Sequence, residues 1–511
     1  MSQHGHSTAG GALSDRSLGS LSGRTLTESA LWSIAAQAIP AVVGVATIPF
    51  IVPGLGVERF GVLTLAWMVI GYFSLFDLGM GRAVTKFAAE LMASRNRDGM
   101  NRVVWTAWYL MLALGFAGAV VLTAIVPWLV RTAVKVSPEL SHETTRTFYL
   151  LAGSIPIVVL TAGFRGLLEA AQLFKLSSLV KIPMGILMFV APLLVLRFTP
   201  SLVVIVSTLI GVRLVGAVAY VVLCHKAVHD HRKPASLDPG AARALLRFGA
   251  WASVSNFLSP LMVSVDRFFV GALLSITAVA YYATPFEAVT KLLIIPSAIT
   301  AVLFPAFSAA ASVDGEKMVQ LFRRGVWALF LIMYPTVFAV ITFAPELLRF
   351  WLGPSFAAQS ADSLRWLALG VFTNSLASVP FAFIQGIGRS DATAKIHLLE
   401  APLYLGVLVW LIRHYGITGA AIAWCGRTTL DMLLLFRYAT PRLQASGTRW
   451  LRDMAILGAL TPALGAGLLL QSQVQKASLV SIPLLVLAIF VGRWTAVGDR
   501  RAWIARILGN G

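Results

Sequence analysis

The chain is 511 residues long, 58% of its residues are hydrophobic, and 41 Lys and Arg against 22 Asp and Glu give a formal net charge of +19. With only 12% charged residues and a mean hydropathy of +0.80, this composition excludes a soluble globular protein and predicts a polytopic membrane protein. Most Lys and Arg residues lie in short segments between apolar stretches, so the positive charge indicates membrane orientation and not nucleic-acid binding.

Apolar stretches long enough to cross a bilayer recur along the whole chain. A helix needs about 20 apolar residues to span the hydrocarbon core, because its backbone polar groups find no partners in lipid. The polar N-terminal segment, 1–27, lacks the features of a cleaved signal peptide. After it the sequence predicts about fourteen transmembrane helices. They are 28–52, 60–84, 103–130, 147–170, 176–197, 200–224, 247–273, 278–308, 325–345, 363–386, 395–414, 417–438, 453–471 and 478–493.

The Lys and Arg residues are shared unevenly between the two faces that these spans define. They are concentrated in the connecting segments on the side that carries both termini. Positively charged short loops are retained in the cytoplasm, so this distribution places both termini there. The same alternation assigns nine Lys and Arg residues to the outer face, namely Arg59, Arg131, Lys135, Arg146, Arg197, Arg349, Arg365, Arg413 and Lys476.

The two halves of the chain share a pattern. The segment 164–170 (FRGLLEA) leads into the span that contains Pro183, and the segment 385–389 (QGIGR) leads into the span that contains Pro402, 219 residues after Pro183. This repeat predicts an all-α fold with two six-helix lobes in a pseudo-twofold arrangement around a central cavity, plus two C-terminal helices. The predicted regions are a flexible cytoplasmic N-terminus (1–27), an N-lobe (28–224), a basic cytoplasmic linker (225–246), a C-lobe (247–438) and a region with the last two helices and a cytoplasmic C-terminus (439–511).

Several common kinds of site are not indicated. The only cysteines are Cys224 and Cys425, so the sequence predicts neither a disulfide framework nor a metal site. No G-x-x-x-x-G-K-[ST] motif occurs, which excludes ATP hydrolysis by a P-loop mechanism. The longest outer loop offers only Glu139, His142 and Glu143 as acid–base groups, so no catalytic loop is evident. We therefore expect neither an enzyme nor a bound cofactor.

Short motifs in a fixed order resemble one family of transporters. They are FGVL (60–63), FDLGMGR (76–82), FRGLLE (164–169), VDRFFVG (265–271) and YGITGAA (415–421). Their order and spacing resemble the oligosaccharide flippases, the polysaccharide-transporter branch of the multidrug/oligosaccharidyl-lipid/polysaccharide superfamily. The resemblance implies a MATE-like core of twelve helices in two lobes with a V-shaped cavity. It also implies export of lipid-linked sugars across the bacterial inner membrane.

Ionisable residues within the predicted spans are candidates for the transport site, since such side chains are costly in lipid and usually face protein or water. Cations suit the pyrophosphate of a polyprenyl-linked oligosaccharide, because a guanidinium matches phosphate oxygens bidentately. The substrate-binding candidates are Arg213, Arg267, Lys291 and Arg427. Carboxylates that exchange a cation could couple transport to an ion gradient, and the candidates are Asp77, Asp266, Glu287 and Asp431.

A structural role is the alternative for several of these residues. Glu287 and Lys291 have helical i,i+4 spacing, as have Arg427 and Asp431, so each pair could neutralise itself and lock two helices together. Neighbouring residues on an α-helix point about 100° apart, so Asp266 and Arg267 cannot both face the cavity.

The sequence thus predicts a flippase of the bacterial inner (cytoplasmic) membrane that acts by alternating access with ion coupling. Its predicted substrate is a polyprenyl-pyrophosphate-linked oligosaccharide, moved from the inner to the outer leaflet for O-antigen or exopolysaccharide assembly. Predicted partners are membrane lipids and a polysaccharide polymerase or export machinery, but not nucleic acid. The alternatives are a cation-coupled multidrug exporter of the same fold, which would favour an acidic cavity, and a membrane-embedded polysaccharide polymerase or transferase.

Overall fold

The structure, a computed structural model, describes residues 23–72, 79–228, 235–310 and 315–446. Within these ranges every regular element is a helix, which confirms the predicted all-α fold. The α-helices are α1 (Gly23–Leu55), α2 (Val57–Tyr72), α3 (Met80–Ala93), α4 (Arg97–Trp128), α5 (Pro138–Ala170), α6 (Phe174–Val195), α7 (Leu202–Ala227), α8 (Pro239–Leu273), α9 (Ile276–Thr290), α10 (Ile294–Ala310), α11 (Gly315–Thr342), α12 (Ala344–Leu352), α13 (Pro354–Gly386) and α14 (Ser390–Ala439).

In the described part of the chain, nine helical stretches are long and apolar enough to cross a membrane. They correspond to ten of the predicted spans, because the stretch Asp391–Leu443 contains two of them on either side of Gly416. The predicted second span falls on α2 and α3, and the seventh falls on α8. The two C-terminal spans lie outside the described residues, as does Asp77. The chain is a multi-pass membrane protein.

The described chain has two halves, α1–α7 and α8–α14. Each half is built around one long central helix. These helices, α5 and α13, both have 33 residues, and both carry proline in the first turn, where a missing N–H costs no helical hydrogen bond. Each is followed by a three-residue connection, 171–173 or 387–389, before the next helix. Around them pack α3, α4 and α7 in the first half, and α9 to α12 and α14 in the second. This equivalence accounts for the repeat in the sequence.

Helix α8 begins the second half after a well-defined cap. The Asp238 carboxylate accepts hydrogen bonds from the backbone N–H groups of Gly240 at 2.8 Å and Ala241 at 3.1 Å, and Pro239 occupies the first helical position. Helix α7 continues to Ala227, so helical structure takes up both ends of the predicted linker. Residues 229–234 of that linker lie outside the described ranges.

Close helix packing in the first half depends on small residues, as is usual in membranes. Gly115 of α4 is buried against α5, and a Cβ atom at this position would lie 2.6 Å from the Cα atom of Pro156. We expect Gly115→Ala to destabilise the protein by about 1–3 kcal/mol, because the two backbones would have to move apart. Gly153→Ala is the matched control, since among the described residues no atom outside the adjacent backbone of α5 lies within 4 Å of its added Cβ. Thermal unfolding in detergent should separate the two variants, and equal melting temperatures would contradict this account.

The membrane-spanning stretch formed by α9 and α10 is interrupted in its middle. The 3₁₀ turn Lys291–Leu293 separates the two helices, and Pro296 follows in the first turn of α10. Proline has no N–H, so the carbonyl of Leu292 has no α-helical donor at Pro296. A 3₁₀ segment in this position often marks a hinge, and it brings Lys291 to the wall of the central cavity.

Candidate functional site

A cavity of about 570 Å³ lies between the two halves of the molecule. Helices α1, α2 and α6 of the first half line one side, and α8 and α9 of the second half line the other. Most of the lining is apolar, with Phe60, Trp67 and Phe189 among the larger side chains. Within the described ranges, the charged lining residues come from the second half and are Arg267, Glu287 and Lys291.

These three residues form one ion-paired cluster, which we call the cavity cluster. Arg267 Nη2 lies 2.9 Å from Glu287 Oε1, and Lys291 Nζ lies 2.9 Å from Glu287 Oε2. The guanidinium also lies 4.6 Å from the ring centroid of Phe286, in a cation–π arrangement. Two cations share one carboxylate, so the cluster carries a formal surplus of one positive charge on the cavity wall. The geometry can therefore accept an anionic group.

Asp266 points away from the cavity and into the second half. Its side chain is fully buried, and Oδ2 accepts a hydrogen bond from the Tyr282 hydroxyl at 2.5 Å. Oδ1 accepts a second hydrogen bond from the backbone N–H of Arg267 at 2.8 Å. The side chains of Asp266 and Arg267 therefore point in different directions, as predicted. Arg267 faces the cavity, and Asp266 lies inside the second half beside Tyr282 of α9.

The structure does not bring the four candidate cations together. Arg267 and Lys291 line the cavity, whereas Arg213 on α7 and Arg427 on α14 do not belong to its wall. Arg213 is half-buried, and its Nε atom has no hydrogen-bond partner among the described residues. The Arg427 guanidinium lies 5.6 Å from the ring centroid of Tyr404.

The two predicted i,i+4 pairs behave differently. Glu287 and Lys291 form an ion pair, as their spacing indicates. No ion pair joins Asp431 to Arg427; instead, Asp431 Oδ1 lies 3.4 Å from His397 Nε2 on the other arm of α14. The sequence analysis did not predict that Tyr282 contacts Asp266 or that His397 contacts Asp431. A signal for His397 was available, since it precedes the intramembrane Glu400 at helical i,i+3 spacing.

Direct hydrogen bonds join the two halves at the predicted outer face. The backbone N–H of Lys135 donates to the Gly271 carbonyl at 3.2 Å, and the backbone N–H of Ile276 donates to the Lys135 carbonyl at 3.2 Å. Lys135 Nζ also donates to the carbonyl of Leu273 at 2.9 Å. We call these four residues the outer clasp. Gly61 packs against the Ile276 carbonyl, and any side chain at Gly61 would overlap that oxygen.

A further hydrogen bond between the two halves joins α12 to α1. The Trp351 indole N–H donates to the Val45 carbonyl at 2.8 Å, although the two residues are 306 positions apart. A tryptophan near a membrane interface commonly keeps its ring in an apolar region while its N–H finds a partner. Here the partner belongs to the opposite half, so the bond must break if the halves separate on this side.

Comparison with known proteins points to polysaccharide assembly. A family model described as "Polysaccharide biosynthesis protein" matches residues 55–361. The chain is 31% identical over 417 residues to a Shigella flexneri protein named "Putative O-antigen transporter", covering 80% of this chain and 97% of that protein. It is also 22% identical over 214 residues to a Haloferax volcanii protein named "Probable low-salt glycan biosynthesis flippase", covering 41% of this chain and 45% of that protein.

Solved structures share the fold at low sequence identity. An inward-facing multidrug resistance MATE family transporter of the MOP superfamily superposes with a TM-score of 0.67 at 18% identity, covering 82% of this chain and 95% of that one. A MOP superfamily transporter from Pyrococcus furiosus, described as having a binding pocket of reversed polarity, superposes with a TM-score of 0.57 at 16% identity, covering 83% and 96%. These likenesses confirm the predicted MATE-like architecture.

Proposed function

Because this chain belongs to the polysaccharide biosynthesis protein family, we propose that it is a flippase for a lipid-linked oligosaccharide. The substrate class is a polyprenyl-pyrophosphate-linked oligosaccharide, which moves from the inner to the outer leaflet of the bacterial inner membrane. Both termini lie in the cytoplasm, and the exported unit then passes to a polysaccharide polymerase or export machinery. Neither translocation nor release requires a covalent bond to form or break.

The observation that carries this proposal is the cavity cluster between the two halves. Arg267 and Lys291 place two cations against one carboxylate on a mainly apolar wall, and charge interactions are stronger in apolar surroundings than in bulk water. Arg267 offers a planar fork of donors, which suits a pyrophosphate better than a point charge does. The apolar remainder of the wall suits the lipid part of the substrate.

The rival with a specific observation in its favour is a multidrug exporter, since the superposed MATE transporter is named for multidrug resistance. A pocket for cationic drugs would gain from a surplus of carboxylates. Among the described residues, the wall of this cavity has the opposite balance, with one acid, Glu287, and two cations beside it. The charge of the cavity therefore favours an anionic substrate.

The decisive experiment is the sidedness of lipid-linked oligosaccharides in cells depleted of the protein. An impermeant sugar-specific reagent should label intact depleted cells weakly and inverted vesicles strongly, because the lipid-linked units accumulate on the inner leaflet. Labelling should return when the wild-type chain is supplied. Normal labelling of intact depleted cells would overturn the proposal. If the labelled oligosaccharide units reached the outer leaflet normally but were not polymerised, the result would point to a polymerase.

A further inference from the structure

Part of the cavity wall is aromatic and belongs to the first half, on the side opposite the cavity cluster. It consists of Phe60 and Trp67 of α2 and Phe189 of α6, which we call the aromatic wall. The ring centroids of Phe60 and Trp67 lie 6.1 Å apart in an edge-to-face arrangement, and those of Trp67 and Phe189 lie 5.2 Å apart. Gly44 of α1 makes room for Phe189, since a Cβ atom at Gly44 would lie 2.9 Å from the Phe189 ring. The three rings therefore form one continuous surface.

Trp67 is the residue through which α2 opens this surface to the cavity. Of residues 60–70, all of which the structure describes, Trp67 alone is partly exposed and the others are buried. Its indole nitrogen is buried, so the side chain presents carbon to the cavity. One turn further along α2, Gly71 is exposed, and among the described residues no atom outside the adjacent backbone lies within 4 Å of a Cβ atom added there. A flat carbon surface thus borders open space in the cavity.

Packing alone does not account for a tryptophan at position 67. Trp67 Nε1 has no hydrogen-bond acceptor in the part of the chain that the structure describes, whereas a buried indole N–H usually has one. A buried donor without a partner is costly. A phenylalanine would cover the apolar wall without that cost. What the indole adds is a larger ring surface facing the cavity, which a ligand can use and the fold itself does not need.

Trp67 lies nearer the predicted outer face than the cavity cluster does. Helices α2 and α9 both begin at that face and pack side by side, and Gly61 meets the Ile276 carbonyl at these ends. At about 1.5 Å per residue, Trp67 lies about 9 Å along α2 from this contact, and Glu287 lies about 16 Å along α9. The difference in depth is comparable with the length of one sugar unit. A ligand held by its pyrophosphate at the cavity cluster can therefore place its next group beside Trp67.

A pyranose ring suits this part of the wall. Its faces are formed by C–H groups, whose partial positive charges are attracted to the negative face of an aromatic ring. Thr64 of α2 also lines the cavity, and its hydroxyl already donates to the Gly61 carbonyl at 2.8 Å. The Thr64 oxygen therefore retains the capacity to accept a hydrogen bond. The wall thus offers both a stacking surface and an acceptor for a sugar hydroxyl, and a lipid chain has no use for the acceptor.

We propose that the aromatic wall is the sugar subsite of the cavity and that Trp67 stacks against the sugar unit joined to the pyrophosphate. Arg267 and Lys291 hold the pyrophosphate, and aliphatic lining residues of α1, such as Val45 and Ile48, are left to the lipid part. A substrate that enters from the inner side then has its sugar ahead of its pyrophosphate. This inference rests on the proposed function for the substrate class, and it adds the residue that distinguishes the sugar-bearing lipid from the bare lipid carrier.

The test compares the binding of two radiolabelled lipids to the purified protein. One is the polyprenyl-pyrophosphate-linked oligosaccharide extracted from the cells that carry the protein, and the other is sugar-free polyprenyl pyrophosphate. The wild type should bind the sugar-bearing lipid about tenfold more tightly, the gain expected from one stacked ring. Trp67→Leu should lose this preference and still bind the sugar-free lipid like the wild type, whereas Trp67→Phe should keep part of it. Trp128→Leu is the matched control and should behave like the wild type, because Trp128 is 60% exposed on α4, away from the cavity wall.

A second variant blocks the subsite without removing a packed ring. The side chain of a helical residue leans towards the N-terminus of its helix, so the added side chain in Gly71→Leu covers Trp67. This variant should also lose the preference for the sugar-bearing lipid, and it decides the question if Trp67→Leu does not accumulate in membranes. A preference that remains intact in Gly71→Leu would overturn the sugar subsite.

The remaining outcomes separate the sugar subsite from the proposed function. If the wild type binds both lipids equally tightly, the sugar subsite is overturned, and the proposed function stands on the cavity cluster. If Trp67→Leu weakens the binding of both lipids equally, the subsite is again overturned, because the aromatic wall then serves packing or the lipid part. If the wild type binds neither lipid, the proposed function itself falls, and the sugar subsite falls with it.

Discussion

Arg267→Gln should reduce export of lipid-linked oligosaccharide by about tenfold or more. The change removes the forked donor from the cavity wall, and one charge-assisted hydrogen bond is worth about 1.5–3 kcal/mol, which corresponds to roughly tenfold or more in affinity. It also leaves Glu287 with Lys291 as its remaining ion-pair partner among the described residues, so we expect a loss of stability of about 1–3 kcal/mol. Export is measured as the oligosaccharide that an impermeant reagent labels on intact cells, and stability as thermal unfolding in detergent.

The double variant Arg267→Gln/Glu287→Gln separates these two effects. It removes both members of the pair, which lie 2.9 Å apart, and leaves Lys291 as a single point charge. We expect stability to return towards that of the wild type while export stays low, because Lys291 cannot offer a bidentate fork. If the double variant recovered export as well as stability, export would depend on the net charge of the cavity wall and not on the guanidinium of Arg267.

Arg365→Gln provides a matched control for the loss of an arginine. Arg365 is also paired at 2.9 Å, with Asp362, and its side chain is only 11% exposed, but it lies on α13 and not on the cavity wall. We expect near-normal export from this variant at equal membrane levels. If Arg365→Gln impaired export as strongly as Arg267→Gln, the effect of Arg267 could not be assigned to the cavity.

Cross-linking the outer clasp should arrest export almost completely. Lys135 and Ile276 come from opposite halves, and a backbone hydrogen bond of 3.2 Å joins them. We expect the variant Lys135→Cys/Ile276→Cys, treated with a short bifunctional methanethiosulfonate, to be locked on this side, because alternating access requires the halves to separate there. A reductant should restore export. The buried Cys224 and Cys425 are first replaced by Ala, so that only the introduced thiols react.

The control pair lies beside the clasp but within one half. Glu58 Oε1 accepts a hydrogen bond from the backbone N–H of Ser137 at 2.8 Å, and both residues belong to the first half. The treated variant Glu58→Cys/Ser137→Cys should keep exporting, because the two positions move together. Continued export from the cross-linked Lys135/Ile276 pair would show that the halves do not part at the clasp.

Together these variants address two separate steps. If the proposed function holds, the cavity cluster binds the anionic group of the substrate, and opening of the outer clasp releases the substrate to the outer leaflet. A clasp-locked protein should therefore still bind its substrate from the inner side, while Arg267→Gln should weaken that binding. Binding of a labelled lipid-linked oligosaccharide to inverted vesicles distinguishes the two defects.

Features that depend on local sequence could be predicted without the structure. Membrane-spanning helices follow from the length of apolar runs, and the Glu287–Lys291 pair follows from i,i+4 spacing on one helix. The divergence of Asp266 and Arg267 follows from the helical rotation per residue. The repeat of α5 and α13 was visible as matching segments ahead of Pro183 and Pro402.

An all-α membrane protein with a repeated core can be predicted from the chain alone, since both properties depend on composition and on the spacing of residues. Tertiary packing is what places Arg267 and Lys291 on the cavity wall and Arg427 over the ring of Tyr404. A helix that is apolar on all sides gives no signal for its rotation about its own axis. In a bilayer that rotation is set by packing against neighbouring helices, so the partners of each buried charge are defined only once the helices are assembled.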